Sequence, residues 1–186
     1  KILIIGGLNR FAYGIGIMYL NVFLLRYLNV DYIYYSILNI LINFSEALSS
    51  KFWANKSQDR KWNKILTPMS IIYIFAFILL FILNSNILIF CLPIIYILLG
   101  FGNSAYEMFD HIAIYEYSKE DYRTSYVTFE RFIEGIVTAT LPIISYLVFP
   151  ENSNSIKITF LLAIIVYFVL LIYVKFRKQY LESNDN

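Results

Sequence analysis

Residues 33–83 read IYYSILNILINFSEALSSKFWANKSQDRKWNKILTPMSIIYIFAFILLFIL, and the reading of this stretch decides the fold. It holds two apolar runs separated by the polar, strongly basic segment Ala54–Lys64. Each run approaches the roughly 20 residues that a helix needs to cross a bilayer. The two runs differ in kind. In the first, Ser36, Asn39, Asn43, Glu46 and Ser50 recur at spacings of three and four, which puts all of them on one helical face. In the second, Ile65–Leu83, there is no charge at all.

Working outward, the same length criterion picks six segments: Ile2–Leu25, Ile33–Trp53, Ile65–Leu83, Ile87–Ile112, Tyr126–Phe149 and Ile158–Val174. The expected fold is therefore all-α: a polytopic membrane protein with a six-helix bundle over residues 1–174 and a polar tail over 175–186. Composition agrees. The 186-residue chain is 59% hydrophobic and 15% charged, with mean hydropathy +0.63. Soluble domains run at about 45–50% apolar and about 25% charged. A soluble fold of this size could not hide so much apolar surface, so lipid is the expected solvent and partner. The chain begins at Lys1 and enters apolar sequence at once, which suggests a piece of a longer protein.

Charge placement sets the expected orientation. With the start in the cytoplasm, the inner segments carry Lys51, Lys56, Arg60, Lys61, Lys64, Lys119, Arg123, Lys175, Arg177 and Lys178, against only Arg26 and Lys157 outside. This positive-inside bias makes both ends of the chain cytoplasmic in a multi-pass cell-membrane protein.

The polar residues inside the segments form a pattern. The first segment has Arg10 and Asn21 on one stripe, and the second has the stripe described above. The fourth carries Asn103, Glu107, Asp110 and His111, and the fifth Glu130, Arg131, Glu134 and Thr138. The third and sixth are uncharged across Ile65–Leu83 and Ile158–Val174. The order polar, polar, apolar thus occurs twice. Two three-helix repeats, each with its third helix outside, would produce it. Polar side chains acting only as glue between helices are the other reading of the Asn and Ser residues. The charges are harder to explain that way, since each costs about 2.5–3.5 kcal/mol at the centre of an inserting helix.

Enzyme chemistry finds no support. Cys91 is the only cysteine and His111 the only histidine, so neither a disulfide framework nor an HExxH zinc site can form. No nucleophile elbow or glycine-rich phosphate loop is present. No catalytic residue, metal, cofactor or nucleic-acid partner is expected.

Three stretches carry a family resemblance. FWANKSQDRKWNKIL at Phe52–Leu66 resembles the loop between second and third helices of the major facilitator superfamily, approximately W-G-x-L-x-D-R-x-G-x-[KR]. Asp59, Arg60, Asn63 and Lys64 occupy its polar and charged positions. LLRYLNVDY at Leu24–Tyr32 and RTSYVTFERFIEGIVTATLP at Arg123–Pro142 are similar to parts of the C-terminal half of bacterial members. Both glycines of the loop are replaced, by Asn55 and Trp62, and Trp53 sits one residue early. Glycine there permits close approach and positive φ, so the loop is expected to be rebuilt or its gating role weakened.

The resemblance implies a permease half that moves a small solute by alternating access, with the N-terminal half of the same transporter as partner. Asp59, Arg60 and Lys64 would then act in gating. Asp110, Glu130, Arg131 and Glu134 are further candidates for gating or proton coupling, and Arg10, Asn21, Asn39, Asn43, Glu46, Asn103 and Glu107 for the solute cavity. Arg10 and Glu46 read as mutual partners, either as a solute anchor or as a structural pair. Glu107 lies about 30 Å along its helix from Ile87, so solvation near the cytoplasmic surface is an alternative to a transport role. The rival reading of the chain is a repurposed permease half that serves as an interaction scaffold. Nothing in the residues names the solute.

Overall fold

The computed structural model of the chain describes residues 2–57, 63–83, 85–117, 122–148 and 153–184. Among the described residues there are helices and no strands. They are α1 (Ile2–Val22), a π-helical turn (Phe23–Tyr27), α2 (Tyr32–Ser57), α3 (Asn63–Ile82), α4 (Ser85–Tyr117), α5 (Arg123–Val148) and α6 (Ser153–Asn184). Four stretches are long and apolar enough to cross a membrane: Ile5–Tyr27, Lys64–Ile82, Asn86–Ile112 and Ile156–Lys175. The chain is thus all-helical, with several helices suited to a bilayer. At 26 residues each, α2 and α5 match that length but are interrupted by charged residues, Glu46 and Lys51 in one and Glu130, Arg131 and Glu134 in the other.

The helices outrun the expected segments. α2 continues past Trp53 to Ser57, α4 past Ile112 to Tyr117, and α6 past Val174 to Asn184. Most of the expected polar tail is therefore helical. The reason is that a change of polarity marks where a helix leaves apolar surroundings, whereas good helix formers such as Lys, Arg, Gln, Leu and Glu carry the backbone bonds onward. The longer α2 also corrects the reading of the basic segment. Asn55 lies within α2, so this position needs no positive φ. Asp59, Arg60, Lys61 and Trp62 lie outside the described residues.

The end of α1 is set by Asn29, whose φ of 49° makes it the only non-glycine residue with positive φ among those described. Asn tolerates this left-handed conformation because its short polar side chain bonds locally. The reversed backbone lets the Val30 N–H donate to the Leu24 carbonyl at 3.0 Å, while the Leu28 N–H donates to the Phe23 carbonyl at 3.0 Å. These bonds take up carbonyls that the helix end would otherwise leave open. Leu24, Leu28 and Val30 are buried beneath the turn.

α3 forms the centre of the core. It packs on α4 and α6, while α1 packs on α5 and α6, and α2 on α4. Ile65, Met69, Tyr73, Ala76, Phe77 and Leu80 on α3 are all buried. The Phe77 ring lies against Gly16 of α1, where a Cβ would sit 2.3 Å from the ring. The Tyr73 ring stacks on Tyr167 of α6 at 5.0 Å and meets Tyr13 of α1 edge-on at 5.4 Å. Phe77 stacks on Phe160 of α6 at 6.3 Å. These pairings run α3 parallel to α1 and antiparallel to α6. The uncharged stretches of α3 and α6 do present apolar stripes outward, such as Ile71, Phe75 and Ile82, and Ile165, Phe168 and Ile172. Their other faces, however, supply the middle of the core. A helix that is apolar all round has no sequence signal for which face turns inward.

The seam between α2 and α4 is built differently, from hydrogen bonds to backbone. Pro93 lies inside α4 and has no N–H, so the carbonyl of Ile89 loses its usual helical donor. The Tyr34 hydroxyl of α2 donates to that carbonyl at 2.8 Å. Further along, the Ser45 hydroxyl donates to the Ile97 carbonyl at 2.7 Å, and the Trp53 indole N–H to the Phe101 carbonyl at 2.9 Å. Both residue series rise together, so α2 and α4 run parallel. Between these bonds Gly100 lets the backbones touch: a Cβ there would sit 2.2 Å from the Ile42 carbonyl oxygen. Small residues and interhelical hydrogen bonds are what hold helices together where the surroundings are as apolar as the core.

A candidate polar site at mid-span

Tyr73 is the middle residue of the span candidate Lys64–Ile82, and the interior becomes polar at its level. Its buried hydroxyl donates to the Asn103 side-chain oxygen of α4 at 2.9 Å. The amide nitrogen of Asn103 donates in turn to the Glu46 carboxylate of α2 at 3.4 Å. Tyr167 of α6 donates to the Asn9 backbone carbonyl at 3.5 Å. Arg10, one residue on, lies with its guanidinium 4.9 Å above the Tyr106 ring of α4. Side chains from α1, α2, α3, α4 and α6 thus meet in one layer. Tyr13, Asn103 and Tyr167 lie within about one helical turn of the middle of their own span candidates.

The layer is made by two devices. Gly102 lies against the Tyr73 ring, where a Cβ would come within 2.8 Å of it, so α4 can approach closely enough for Asn103 to reach the hydroxyl. The charged groups are then given polar and aromatic neighbours. Burying a carboxylate or guanidinium without hydrogen-bonding or aromatic partners would be costly, and Asn103 and Tyr106 supply these contacts.

Arg10 and Glu46 are not joined by an ion pair. α1 packs on α5 and α6 whereas α2 packs on α4, and the two side chains have different neighbours. Asn103 holds the carboxylate and Tyr106 the guanidinium.

The polar stripe of α2 borders this layer and stays open. Ser36 and Asn43 are exposed, and Asn39, Glu46 and Ser50 are partly so. Leu38, Ser45, Ser49 and Trp53 turn instead toward α4 and are buried. A third face, with Ile33, Ile37, Ile40, Phe44 and Leu48, is apolar and exposed. Each of the three faces thus has its own surroundings.

The remaining sequence candidates fall as follows. Asn21 is exposed on α1 and Lys64 exposed in the first turn of α3. Glu107 and His111 are exposed on α4 and Asp110 partly so, with Glu107 within electrostatic reach of Glu46. Arg131 is exposed on α5, and Lys64 and Arg131 each have an interaction of their own. Glu130 and Glu134 belong to α5, but their side chains lie outside the description, as do Asp59 and Arg60 altogether.

Sequence reasoning brought Glu46, Asn103 and Arg10 forward but passed over Tyr13, Tyr73, Tyr106 and Tyr167. Tyrosine in an apolar chain is ordinarily read as an interfacial anchor near helix ends. The usable signal was position, because several of these tyrosines lie near mid-span. Among the described residues no His, Cys, Asp and Glu side chains group as metal ligands would. Comparison of the chain with protein-family models, with curated proteins and with solved structures returns no match.

Proposed function

We propose that all six helices cross the membrane as two three-helix repeats, with both ends cytoplasmic, and that the chain is half of a major facilitator type secondary transporter that moves a small solute by alternating access. The observation that carries this reading is the polar layer at mid-span, bordered by the open polar stripe of α2. Transporter sites lie near the bilayer midplane, where two repeats or halves face each other.

The packing supports the repeat. Exchanging α1, α2 and α3 for α4, α5 and α6 turns the α1–α5 contact into α4–α2, turns α1–α6 into α4–α3, and returns α3–α6 to itself. Every principal packing pair has its counterpart. The parallel seam along α4, itself a span candidate, argues that α2 crosses the same slab. Its exposed Ile40, Phe44 and Leu48 suit lipid, while Asn39, Asn43 and Glu46 suit a water-filled path. The scaffold reading rests on the lost loop glycines, and the helical course of α2 through Asn55 removes half of that motive.

Single cysteines test the reading without knowledge of the solute. After Cys91→Ser, cysteines at positions 39, 43 and 46 should react with a membrane-impermeant thiol reagent, and cysteines at 40, 44 and 48 should not. Equal labelling of both faces would remove the aqueous path and with it the transport reading.

A further inference from the structure

The hydrogen bonds along α2 give its open stripe a chemical polarity. Ser36 donates its hydroxyl hydrogen to the Tyr32 carbonyl at 2.8 Å, and Ser50 donates to the Ala47 carbonyl at 2.7 Å. The amide nitrogen of Asn39 donates to the Tyr35 carbonyl at 2.9 Å, and that of Asn43 to the Asn39 carbonyl at 2.9 Å. Polar side chains in helices commonly bond back in this way, which satisfies them without a partner helix. The consequence is one-sided. A serine that gives its only hydrogen to its own helix presents lone pairs alone, and an asparagine so bound keeps one N–H beside a free carbonyl oxygen. Glu46 adds a carboxylate that only accepts. Thr128, exposed on α5, repeats the pattern by donating to the Thr124 carbonyl at 2.9 Å.

The stripe from Ser36 to Glu46 therefore offers an excess of acceptors and one negative charge. Its first cation is Lys51, beyond the stripe at the far end of α2. Arg10 is engaged by the Tyr106 ring, and Arg131 has an interaction of its own. An anion passing this edge would meet lone pairs and a carboxylate; an ammonium group would meet complementary partners.

We infer that the solute is a donor-rich organic cation, a small amine, with its ammonium received by Glu46 and its further N–H or O–H groups by Asn43, Asn39 and Ser36. This rests on the transport reading above and adds the substrate class to it. Glu46 lies about 4.5 Å from Asn43 and about 10.5 Å from Asn39 along the helix axis, a spacing that the separated amino groups of a polyamine can span.

The test is uptake of labelled spermidine, succinate and mannitol into liposomes containing the full-length protein. Spermidine uptake should be saturable and exceed the other two. Glu46→Gln should lower kcat/KM for spermidine about tenfold to hundredfold, the loss expected for one charge-assisted hydrogen bond. Glu46→Asp should retain part of the activity. Asn43→Asp, which adds a carboxylate to the same edge, should lower KM; because this variant predicts a gain, misfolding cannot mimic it. Saturable uptake of succinate or mannitol in place of spermidine overturns the amine assignment and leaves the transport reading standing. Uptake of none of the three also overturns the assignment, and the cysteine-labelling pattern then judges the transport reading separately.

Discussion

Replacing Tyr34 by phenylalanine removes one hydroxyl from the seam between α2 and α4 and tests how that seam is held. In the parent, Pro93 deprives the Ile89 carbonyl of its helical donor, and the Tyr34 hydroxyl supplies one from the neighbouring helix at 2.8 Å. A lost neutral hydrogen bond is worth about 1 kcal/mol net, and a carbonyl left unsatisfied away from water adds about 1–3 kcal/mol. Interhelical hydrogen bonds in membrane proteins average lower, about 0.6 with a maximum near 1.7 kcal/mol. Because the proline removes the internal alternative, Tyr34→Phe should fall at the upper end, about 1.5 kcal/mol. Pro93→Ala restores an N–H facing the Ile89 carbonyl, so in that background Tyr34→Phe should cost only about 0.5 kcal/mol. The cycle of parent, two single variants and the double variant, followed by denaturant unfolding in detergent, should yield a coupling of about 1 kcal/mol. Equal cost of Tyr34→Phe in both backgrounds would refute the argument that the hydroxyl stands in for the missing donor.

Three further outcomes are expected from the same unfolding assay. Gly100→Ala would bring a Cβ to 2.2 Å from the Ile42 carbonyl oxygen, a backbone atom that cannot rotate away, and should destabilise by about 3 kcal/mol. Gly135→Ala, with nothing within 4 Å, should be neutral or stabilise by up to about 1 kcal/mol; similar effects at both sites would contradict the packing described. Asn29→Val should cost about 1–2 kcal/mol because of its left-handed φ of 49°, whereas Asn29→Gly should be tolerated. Tyr73→Phe breaks a buried 2.9 Å bond to Asn103 and should cost about 1–2 kcal/mol. Tyr167→Phe breaks a 3.5 Å bond and should cost less than about 0.5 kcal/mol, so the reverse order would count against the polar layer.

Much of the architecture was legible because bilayer-length apolar runs and polar loops are local properties. The four most apolar of the six expected segments coincide with the four span candidates. The stripe of Ser36, Asn39, Asn43, Glu46 and Ser50 was legible too, since helical periodicity alone places those residues on one face, and that face is open to varying degree in the structure. The extent of α2 was not. Polarity at Ala54–Ser57 read as loop, but helical hydrogen bonding continues through polar residues as readily as through apolar ones.

What the sequence alone determined, then, is the all-helical class, the apolar spans and the faces on which polar residues collect, because each depends only on spacing along one helix. The tertiary structure decided which faces meet. It set Asn103 rather than Arg10 beside Glu46, put Tyr34 on the carbonyl freed by Pro93, and turned Tyr73 inward at mid-span. Those choices depend on close approach at Gly100 and Gly102 and on the packing order of the helices. Both are relations between segments far apart in the chain, and no periodicity within one segment encodes them.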